Sequence, residues 1–186
     1  MAVSLDQRLF TIDEYEQMID AGILTGEDRV ELLNGRIVNM AAIKLPHATC
    51  VARLDRIFHR LLSDRAHIWV QNPLHLPYKS RPEPDVTLLK WRDDLYAEKY
   101  PTHEDVLLLI EVADATLDRD KGIKAKLYAQ AGIPHYWVVN LPEQVIEVFS
   151  EPDTGGYRSI ARVGQGNDLE LPAPLSGMIR AEDILG

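Results

Sequence analysis

Leu107-Leu-Leu-Ile-Glu111-Val-Ala113 is the most informative segment of this chain, together with Arg81-Pro-Glu-Pro-Asp85-Val-Thr-Leu-Leu-Lys90 before it. Each stretch places an acidic residue beside or inside an apolar, strand-like run. A carboxylate in such a place must be paired, hydrogen-bonded or bound to a metal, because burying a bare charge is costly. Two carboxylates on neighbouring strands can hold one hard cation through oxygen ligands. The pattern therefore predicts that Asp85 and Glu111 share a cation site.

The composition is that of an ordinary globular protein, and the length predicts a single domain over residues 1–186. Hydrophobic residues make up 46% of the chain and charged residues 26%. No apolar run approaches the roughly 20 residues that a membrane span needs, and residues 1–8 lack the pattern of a signal peptide. The single cysteine, Cys50, excludes an internal disulfide and fits a reducing compartment. We therefore expect a cytoplasmic protein that does not span a membrane.

The net charge of −9 argues against non-specific binding of nucleic acid, which needs a positive field. This objection weakens if several acids are metal ligands and if the basic residues cluster. Two clusters are candidates for contacts with nucleic acid: Arg53, Arg56, His59, Arg60 and Arg65 in the first, and Arg119, Lys121, Lys124 and Lys126 in the second. A solvated helix face is the favoured interpretation of most of these residues, so the clusters do not by themselves indicate nucleic-acid binding.

Capping and turn residues predict the order of the secondary structure. Thr11-Ile-Asp-Glu14 has the capping-box pattern and predicts a short helix that ends near Ala21. The dipeptide Asn34-Gly35 predicts a type I′ hairpin between two strand-like runs, 28–33 and 36–40. The remaining predicted elements are a helix over Ala48–Ser63, strands over Ala66–Val70, Val86–Leu89, Val106–Val112 and Tyr136–Val139, a helix over Lys121–Ala131, a hairpin over Val145–Ser150 and Tyr157–Val163, and a loop-rich tail from Leu169.

This order of elements predicts an α/β fold with a mixed central sheet that is flanked by helices and extended by an N-terminal β-hairpin. The run Val106–Val112 is almost entirely apolar, as expected of a strand that is covered on both faces. A helix and a second apolar strand follow it, which is the pattern of a crossover between two parallel strands.

Lys124 is the third candidate for chemistry, and its placement is argued from helical periodicity. At about 100° per residue, Lys124 falls on the same stripe as Ile123 and Leu127, which we expect to face the sheet. The same periodicity directs Lys121 and Lys126 elsewhere. An inward lysine can extend past the core to water, or it can present its ammonium group to a site at the end of the preceding strand.

His47 and Glu31 are further candidates with simpler structural explanations. His47 lies on the inward face of the first helical turn, where a purely structural histidine is at least as common. Glu31 alternates with Val30 and Leu32, as expected for the polar face of a half-exposed hairpin. The sequence has no phosphate-binding glycine-rich loop, no zinc spacing and no Gly-x-Ser-x-Gly motif. Paired carboxylates also occur in glycosidases, but that chemistry gives no role to Lys124.

The candidate residues lie in segments that resemble a known family. The segments are Arg29-Val-Glu-Leu-Leu-Asn-Gly-Arg-Ile-Val38, Pro46-His47, Pro82-Glu-Pro-Asp85, Glu111-Val-Ala-Asp-Ala-Thr-Leu-Asp-Arg-Asp120-Lys-Gly-Ile-Lys124 and Lys126-Leu-Tyr-Ala-Gln-Ala-Gly-Ile-Pro-His-Tyr-Trp-Val-Val139. They resemble the Uma family of endonucleases in the restriction-endonuclease-like PD-(D/E)XK superfamily, over roughly residues 8–185. The resemblance implies the restriction-endonuclease-like α/β core and nuclease chemistry.

The resemblance also implies roles for individual residues. Asp85 matches the motif aspartate, Glu111 matches the acidic residue of the third motif, and Glu31 matches an additional acid from the N-terminal region. The general motif has a lysine two residues after the second acid, where this chain has Ala113. The family carries the lysine on the following helix instead, and Lys124 matches that position.

The predicted activity is hydrolysis of phosphodiester bonds in nucleic acid, with DNA as the favoured substrate. The predicted ligands of one or two Mg²⁺ or Mn²⁺ ions are Asp85, Glu111, the Val112 carbonyl and Glu31. Lys124 is predicted to orient the attacking water or to stabilise the developing negative charge. His47 is predicted to bind metal, to contact phosphate or to assist proton transfer, and these alternatives stay open.

Two other functions stay open as well, and the oligomeric state is a separate expectation. The acidic composition favours a nuclease-like module that binds nucleic acid or protein without cleaving it. Paired acids and a lysine also suit an enzyme that acts on another phosphorylated substrate. We expect a homodimer, the commonest soluble oligomer, in which the aromatic residues Trp91, Tyr96 and Tyr100 of the excursion after Lys90 contribute to the interface.

Overall fold

The computed structural model describes residues 7–186, which contain ten strands and five α-helices. The strands are β1 (Val30–Leu33), β2 (Arg36–Asn39), β3 (His67–Val70), β4 (Val86–Leu89), β5 (Val106–Ala113), β6 (His135–Asn140), β7 (Val145–Asp153), β8 (Gly156–Gly164), β9 (Asp168–Glu170) and β10 (Met178–Arg180). The helices are α1 (Ile12–Asp20), α2 (Leu45–Leu62), α3 (Leu117–Arg119), α4 (Ala125–Gln130) and α5 (Ala181–Leu185). A π-helical turn, Asp120–Lys124, joins α3 to α4. The expectation about a signal peptide concerns residues that lie mostly outside this range.

The centre of the fold is a six-stranded sheet with the strand order β3-β4-β5-β6-β7-β8. Strands β5 and β6 are parallel, and the other neighbouring pairs are antiparallel. The sheet is therefore mixed, and helices pack against it, which confirms the predicted α/β fold. The hairpin β1-β2 forms a separate two-stranded sheet, as expected of the N-terminal extension. That residues 1–186 form a single domain stays a prediction.

Two hydrophobic cores cover the two faces of the central sheet, and all eight residues of β5 are buried between them. One core packs α2 and α5 against the sheet and contains Phe58 and Leu108. The other core contains Tyr128 of α4 and Leu109. Successive side chains of a strand point to opposite faces, so Glu111, two residues after Leu109, faces the helical segment that contains α4. The strand thereby directs its one acidic side chain toward that segment.

The N-terminal elements follow their predicted capping and turn signals. Thr11 and Glu14 form the capping box at the start of α1. The turn Asn34-Gly35 has φ angles of 50° and 75°, the positive values that a type I′ turn requires. The hairpin docks onto the chain before β4 through two backbone hydrogen bonds between Leu32 and Arg81. This docking places the inner face of β1 against the central sheet.

Helix α2 begins at Leu45, three residues before the predicted start at Ala48. Pro46 lies in the first helical turn, where no backbone N–H donor is needed and its restricted φ suits the helix. The buried residues of the inward face are Cys50, Val51, Leu54, Phe58 and Leu62. Within residues 7–186, no helix is long and apolar enough to cross a membrane.

The first basic cluster connects α2 to the C-terminal region. Arg53 Nη1 donates a hydrogen bond to the Leu185 carbonyl at 2.8 Å, and Arg65 Nη1 donates to Ser176 Oγ at 2.8 Å. These two side chains therefore stabilise the packing of the tail against α2. They are structural contacts, which neither the nucleic-acid interpretation nor the solvated-face interpretation of this cluster predicted.

The helix predicted over Lys121–Ala131 starts earlier, at Leu117, and contains the π-helical turn. A π-helical turn bonds each residue to the fifth one along, so it changes the helical phase. Ile123, which was predicted to face the sheet, is 57% exposed. That prediction was wrong because a uniform rotation per residue does not hold across the π-helical turn. Lys124 and Leu127 are buried, in agreement with the periodicity.

Two surface regions also differ from the prediction. The tail contains a short antiparallel pair, β9-β10, and the helix α5 in addition to loops. In the excursion after β4, Tyr96 is only 5% exposed, and its hydroxyl donates to the Lys90 carbonyl. Tyr96 thus folds back over its own sheet and is unavailable to a partner, contrary to the expectation. Trp91 and Tyr100 stay partly exposed.

Candidate functional site

A cleft of about 470 Å³ opens where the hairpin, the start of α2 and the segment after β5 approach the central sheet. Its lining includes all the residues that the sequence analysis selected: Glu31, His47, Asp85, Glu111, Val112 and Lys124. Residues from five separate segments of the chain thus come together in one place. The roles assigned to them stay predictions.

The ammonium group of Lys124 lies at the centre of the buried charges. Its Nζ atom is 2.9 Å from Glu111 Oε1 and 3.2 Å from Glu31 Oε2. The side chain of Lys124 is 6% exposed, so it does not extend past the core to bulk water. Glu31 is 1% exposed. The expected half-exposed position of Glu31 was wrong, because the docked hairpin turns this side chain toward Lys124.

The carboxylate of Asp85 is held by polar groups from three other elements. The backbone N–H of Val112 donates to Oδ2 at 2.8 Å, and Gln71 Nε2 donates to Oδ1 at 3.2 Å. His47 Nε2 lies 3.0 Å from Oδ2. Val112 follows Glu111 directly in β5. The hydrogen bond from its N–H to Asp85 therefore fixes the position of Asp85 relative to Glu111, the other candidate metal ligand.

The main polar contact of the His47 side chain is its hydrogen bond with Asp85. The hydrogen bond between them raises the pKa of His47, and burial of the ring opposes that shift. The other ring nitrogen, Nδ1, is buried and has no hydrogen-bond partner within residues 7–186. An unpaired buried nitrogen is unfavourable, so Nδ1 is the unsatisfied polar atom of this contact.

Acidic groups outnumber basic groups in the buried part of the cleft. Glu31, Asp85, Glu111 and Asp120 are each at most 9% exposed, whereas the buried cations that line the cleft are Lys124 and Arg81. Burial raises the pKa of Glu111 to about 8, although Lys124 pulls it down, and burial also raises the pKa of Asp120. Burial disfavours the charge of Lys124, but the surrounding carboxylates outweigh it and raise its pKa, so the ammonium group stays protonated. A cation bound here would favour the ionised form of Glu111 and so lower the pKa of its carboxyl group.

A second lysine–glutamate pair lies on the same helical segment, outside the cleft. Lys121 Nζ is 2.8 Å from Oε1 of Glu147 on β7, and Arg162 Nε lies 3.9 Å from the same oxygen. Glu147 is 2% exposed and therefore needs a partner. The prediction that Lys121 points away from the sheet was wrong for this reason.

The sequence analysis missed two contact residues of the site, Gln71 and Tyr128. The Tyr128 hydroxyl donates to Glu111 Oε1 at 2.8 Å. A signal for Tyr128 exists in the sequence, because Thr116, Asp120, Lys124 and Tyr128 recur at every fourth position. Helical side chains at this spacing are neighbours on one face. The same face carries a hydrogen bond from the Thr116 hydroxyl to Asp120 Oδ2.

Comparison with known proteins identifies the family. The family model described as "Uma2: Putative restriction endonuclease" matches residues 12–182. This chain belongs to the Uma2 family. A crystal structure from Anabaena variabilis, described as "a putative nuclease belonging to DUF820", has 15% sequence identity and a TM-score of 0.71, and the match covers 95% of this chain and 97% of that one. The likeness shows a shared fold, while a search of curated proteins finds no match.

The donor set of this Uma2 protein is suited to a hard cation. Within residues 7–186, no group of three or more His, Cys, Asp or Glu side chains is arranged to hold a metal ion. The convergence of Glu31, Asp85 and Glu111 on one cation therefore stays a prediction. Mg²⁺ needs fewer protein ligands, since one or two carboxylates commonly hold it together with waters and substrate phosphates. The oxygen donors of Asp85 and Glu111, with their surplus charge, fit that mode of binding.

Three basic side chains, Arg29, Lys44 and Arg119, line the outer part of the cleft in this Uma2 protein and are called the basic rim below. Lys44 Nζ is 3.3 Å from Asp114 Oδ2, and its side chain is 62% exposed. Arg119 Nη1 donates to the Asn39 carbonyl at 2.7 Å. The rim therefore places three basic side chains at the edge of the cleft, of which Lys44 is paired with an acid.

Proposed function

We propose that this Uma2 protein is a metal-dependent endonuclease that hydrolyses phosphodiester bonds of nucleic acid, with DNA as the favoured substrate. One observation carries the proposal: a single cleft joins Asp85, Glu111 and Lys124 and contains more buried carboxylates than cations. Phosphodiester hydrolysis needs an activated water and positive charge at the phosphate. Membership of the Uma2 family supports the same activity.

Asp85 and Glu111 would hold Mg²⁺ or Mn²⁺, with the Val112 carbonyl and Glu31 as further ligands of one or two ions. When bound, the ion lowers the pKa of a coordinated water and neutralises charge on the scissile phosphate. The hydrogen bonds from the Val112 N–H and from Gln71 keep Asp85 oriented. Less reorganisation is then required when a cation arrives.

Lys124 supplies a positive charge that belongs to the chain itself. Its protonated ammonium group is held between Glu111 and Glu31 and can donate a hydrogen bond to a phosphate oxygen or to the attacking water. A preorganised charge of this kind stabilises negative charge that develops in the transition state. His47 holds Asp85 through Nε2 and has an unpaired Nδ1, which can contact phosphate or exchange a proton.

The basic rim, Arg29, Lys44 and Arg119, would contact phosphates on either side of the scissile bond. Contacts between basic side chains and phosphates position a nucleic acid without reading its sequence. They also weaken the objection from the net charge of −9, because salt screens exposed charges that lie more than about 10 Å from a bound strand.

We propose in addition that the protein is a homodimer and acts in the cytoplasm. The partly exposed aromatic residues Trp91 and Tyr100 are of types enriched at interfaces. A two-fold dimer would offer one cleft to each strand of a duplex. Light scattering that gives the mass of one chain at micromolar concentration would reject the dimer, and cell fractionation tests the location.

The alternative is a module with the same fold that binds nucleic acid or protein without cleaving it, and the net charge of −9 favours it. The experiment that separates the two incubates the protein with plasmid, linear duplex, single-stranded DNA and RNA, each with Mg²⁺, Mn²⁺ or EDTA. Cleavage that EDTA abolishes supports the nuclease, and the substrates rank DNA against RNA. Binding without cleavage under every metal supports the module.

A matched pair of variants links any cleavage to the cleft and excludes a contaminating nuclease. Glu111→Gln removes the charge of a candidate ligand and keeps its shape, so it should abolish cleavage. Glu147→Gln makes the same change at a buried glutamate outside the cleft and should retain cleavage. Equal activity of the two variants would contradict the proposal. Release of phosphate from small phosphorylated compounds, with no cleavage of nucleic acid, would point to the third possibility, another phosphorylated substrate.

A further inference from the structure

The hydrogen bonds to the Glu111 side chain all end on one of its two oxygens. Lys124 Nζ donates to Oε1 at 2.9 Å, and the Tyr128 hydroxyl donates to the same atom at 2.8 Å. Oε2 accepts no hydrogen bond from any group within residues 7–186 and is not among the buried unpaired atoms there. Since Glu111 lines the cleft, Oε2 is the oxygen that is left accessible from it.

The position of Tyr128 is well defined by its surroundings. The side chain is fully buried, and its ring meets that of Tyr136 edge to face at 5.1 Å. It follows Lys124 by one helical turn, so both donors approach Glu111 from the same side. A buried tyrosine hydroxyl needs a hydrogen-bond partner. Here the partner is the carboxylate of a candidate metal ligand, so the bond also constrains the orientation of Glu111.

We propose that Tyr128 is a positioning residue for the metal site: with Lys124 it holds Oε1 of Glu111, so that Oε2 is the oxygen presented to the cation. The inference rests on the proposed function and adds to it a residue that need not touch metal or substrate. A carboxylate with one donor can rotate and offer either oxygen, whereas two donors on Oε1 select one orientation. Groups that orient a metal ligand typically contribute a factor of about 10–100 in metal affinity.

Mn²⁺ binding to the full chain without nucleic acid, followed by electron paramagnetic resonance of the free ion, tests the proposal directly. Tyr128→Phe keeps the ring and removes only the hydroxyl, and the dissociation constant for Mn²⁺ should rise roughly 10–100-fold. Tyr157→Phe is the matched control. Its hydroxyl donates to the Ile133 carbonyl at 2.9 Å, and its ring stacks on Tyr136, outside the cleft. This variant should bind Mn²⁺ as the wild type does.

A second measurement distinguishes positioning from a general loss of structure. If Tyr128 acts by orienting Glu111, high Mn²⁺ concentrations should restore cleavage by Tyr128→Phe to near the wild-type rate, because the ion site is weakened and not lost. Because Mn²⁺ also stabilises the native state, circular dichroism at the assay temperature without added metal must show that all three proteins are equally folded, so that weaker folding does not explain the rescue.

The outcomes separate this inference from the proposed function. Equal Mn²⁺ affinities of Tyr128→Phe and Tyr157→Phe would overturn the role of Tyr128 even if the protein cleaves DNA. Weakened Mn²⁺ binding in Tyr128→Phe alone supports the role even if no substrate is cleaved. If the wild type binds no Mn²⁺, the positioning role and the metal site both fall.

Discussion

The helical segment after β5 carries two lysines, and each forms an ion pair with a buried glutamate. A comparison of the two pairs shows what distinguishes a candidate active site from a structural contact. Lys124 Nζ lies 2.9 Å from Glu111 Oε1, and Lys121 Nζ lies 2.8 Å from Glu147 Oε1. The glutamate side chains are 5% and 3% exposed. Pair distance and burial of the acid therefore do not distinguish a candidate active site from a structural ion pair.

The charges around each pair do distinguish them. Glu147 has a second cation, Arg162, at 3.9 Å, and it lies outside the cleft. At the other pair the excess is negative, because Glu31 shares Lys124 and further buried acids stand nearby. A buried ion pair is weak evidence of function by itself. A pair with surplus carboxylates that opens to a cleft can bind another cation.

The largest expected difference between the two pairs concerns cleavage. Lys124→Met should lower the cleavage rate by about 10²–10³-fold, the usual loss when one preorganised donor to the transition state is removed. Lys121→Met should retain most of the rate of the folded protein, since its ammonium group neutralises Glu147 instead. Single-turnover rates at saturating Mn²⁺ measure both. Lys126→Met, an exposed lysine on α4, controls for the lost charge. Full activity of Lys124→Met would make both lysines structural.

The next difference concerns metal-dependent stability. Mn²⁺ at a hundred times its dissociation constant should stabilise the wild type by about 2.7 kcal/mol, because it binds only the native state. Asp85→Asn keeps the size of the side chain and should lose most of this gain, whereas Glu147→Gln should keep it. Thermal melts with Mn²⁺ and with EDTA measure the effect. An equal Mn²⁺-induced shift in the two variants would contradict the assignment of Asp85 as a ligand.

A smaller effect concerns Lys121 and Glu147, the structural pair, where the variant should change stability and not cleavage. Lys121→Met should destabilise the fold by about 1–3 kcal/mol, because it leaves a buried carboxylate without its nearest partner. The loss should lie in the lower part of that range, since Lys121 is 38% exposed and Arg162 remains. Urea unfolding measures it, with Lys126→Met as the control. No loss of stability would mean that Arg162 alone is a sufficient partner for Glu147.

The smallest effect concerns the basic rim, which neither pair includes. Lys44→Met should weaken nucleic-acid binding only severalfold and lower the slope of log affinity against log salt by about 0.9, the value for one phosphate contact. Fluorescence anisotropy with a labelled duplex at several salt concentrations measures the slope. Lys126→Met should leave it unchanged. An identical slope in the Lys44 variant would remove Lys44 from the interface.

The parts of the fold that could be predicted from the sequence are those with strong local signals. The turn Asn34-Gly35 and the capping box at Thr11 are short-range features, so their elements were correctly placed. The apolar run of β5 predicted a strand that is covered on both faces. The three-residue strands β9 and β10 give too short a pattern to be recognised.

The candidate site was only partly predictable because several of its contacts depend on tertiary packing. Periodicity directed Lys124 inward, but it could not foresee the π-helical turn that exposes Ile123. Nothing local to Glu31 indicates that its hairpin docks against the sheet and buries it. Lys121 was misplaced because its partner, Glu147, lies two strands further along the chain.

The docking of the hairpin β1-β2 has a consequence for the order in which the site is completed. The hairpin pairs with itself and meets the rest of the chain through few backbone hydrogen bonds, such as those between Leu32 and Arg81. A two-stranded hairpin has little stability of its own, so it can detach while the six-stranded sheet stays intact. Each detachment removes Glu31 from Lys124. We therefore expect backbone amides of β1 to exchange with solvent sooner than those of β5, and the site to be the last part of the protein to form.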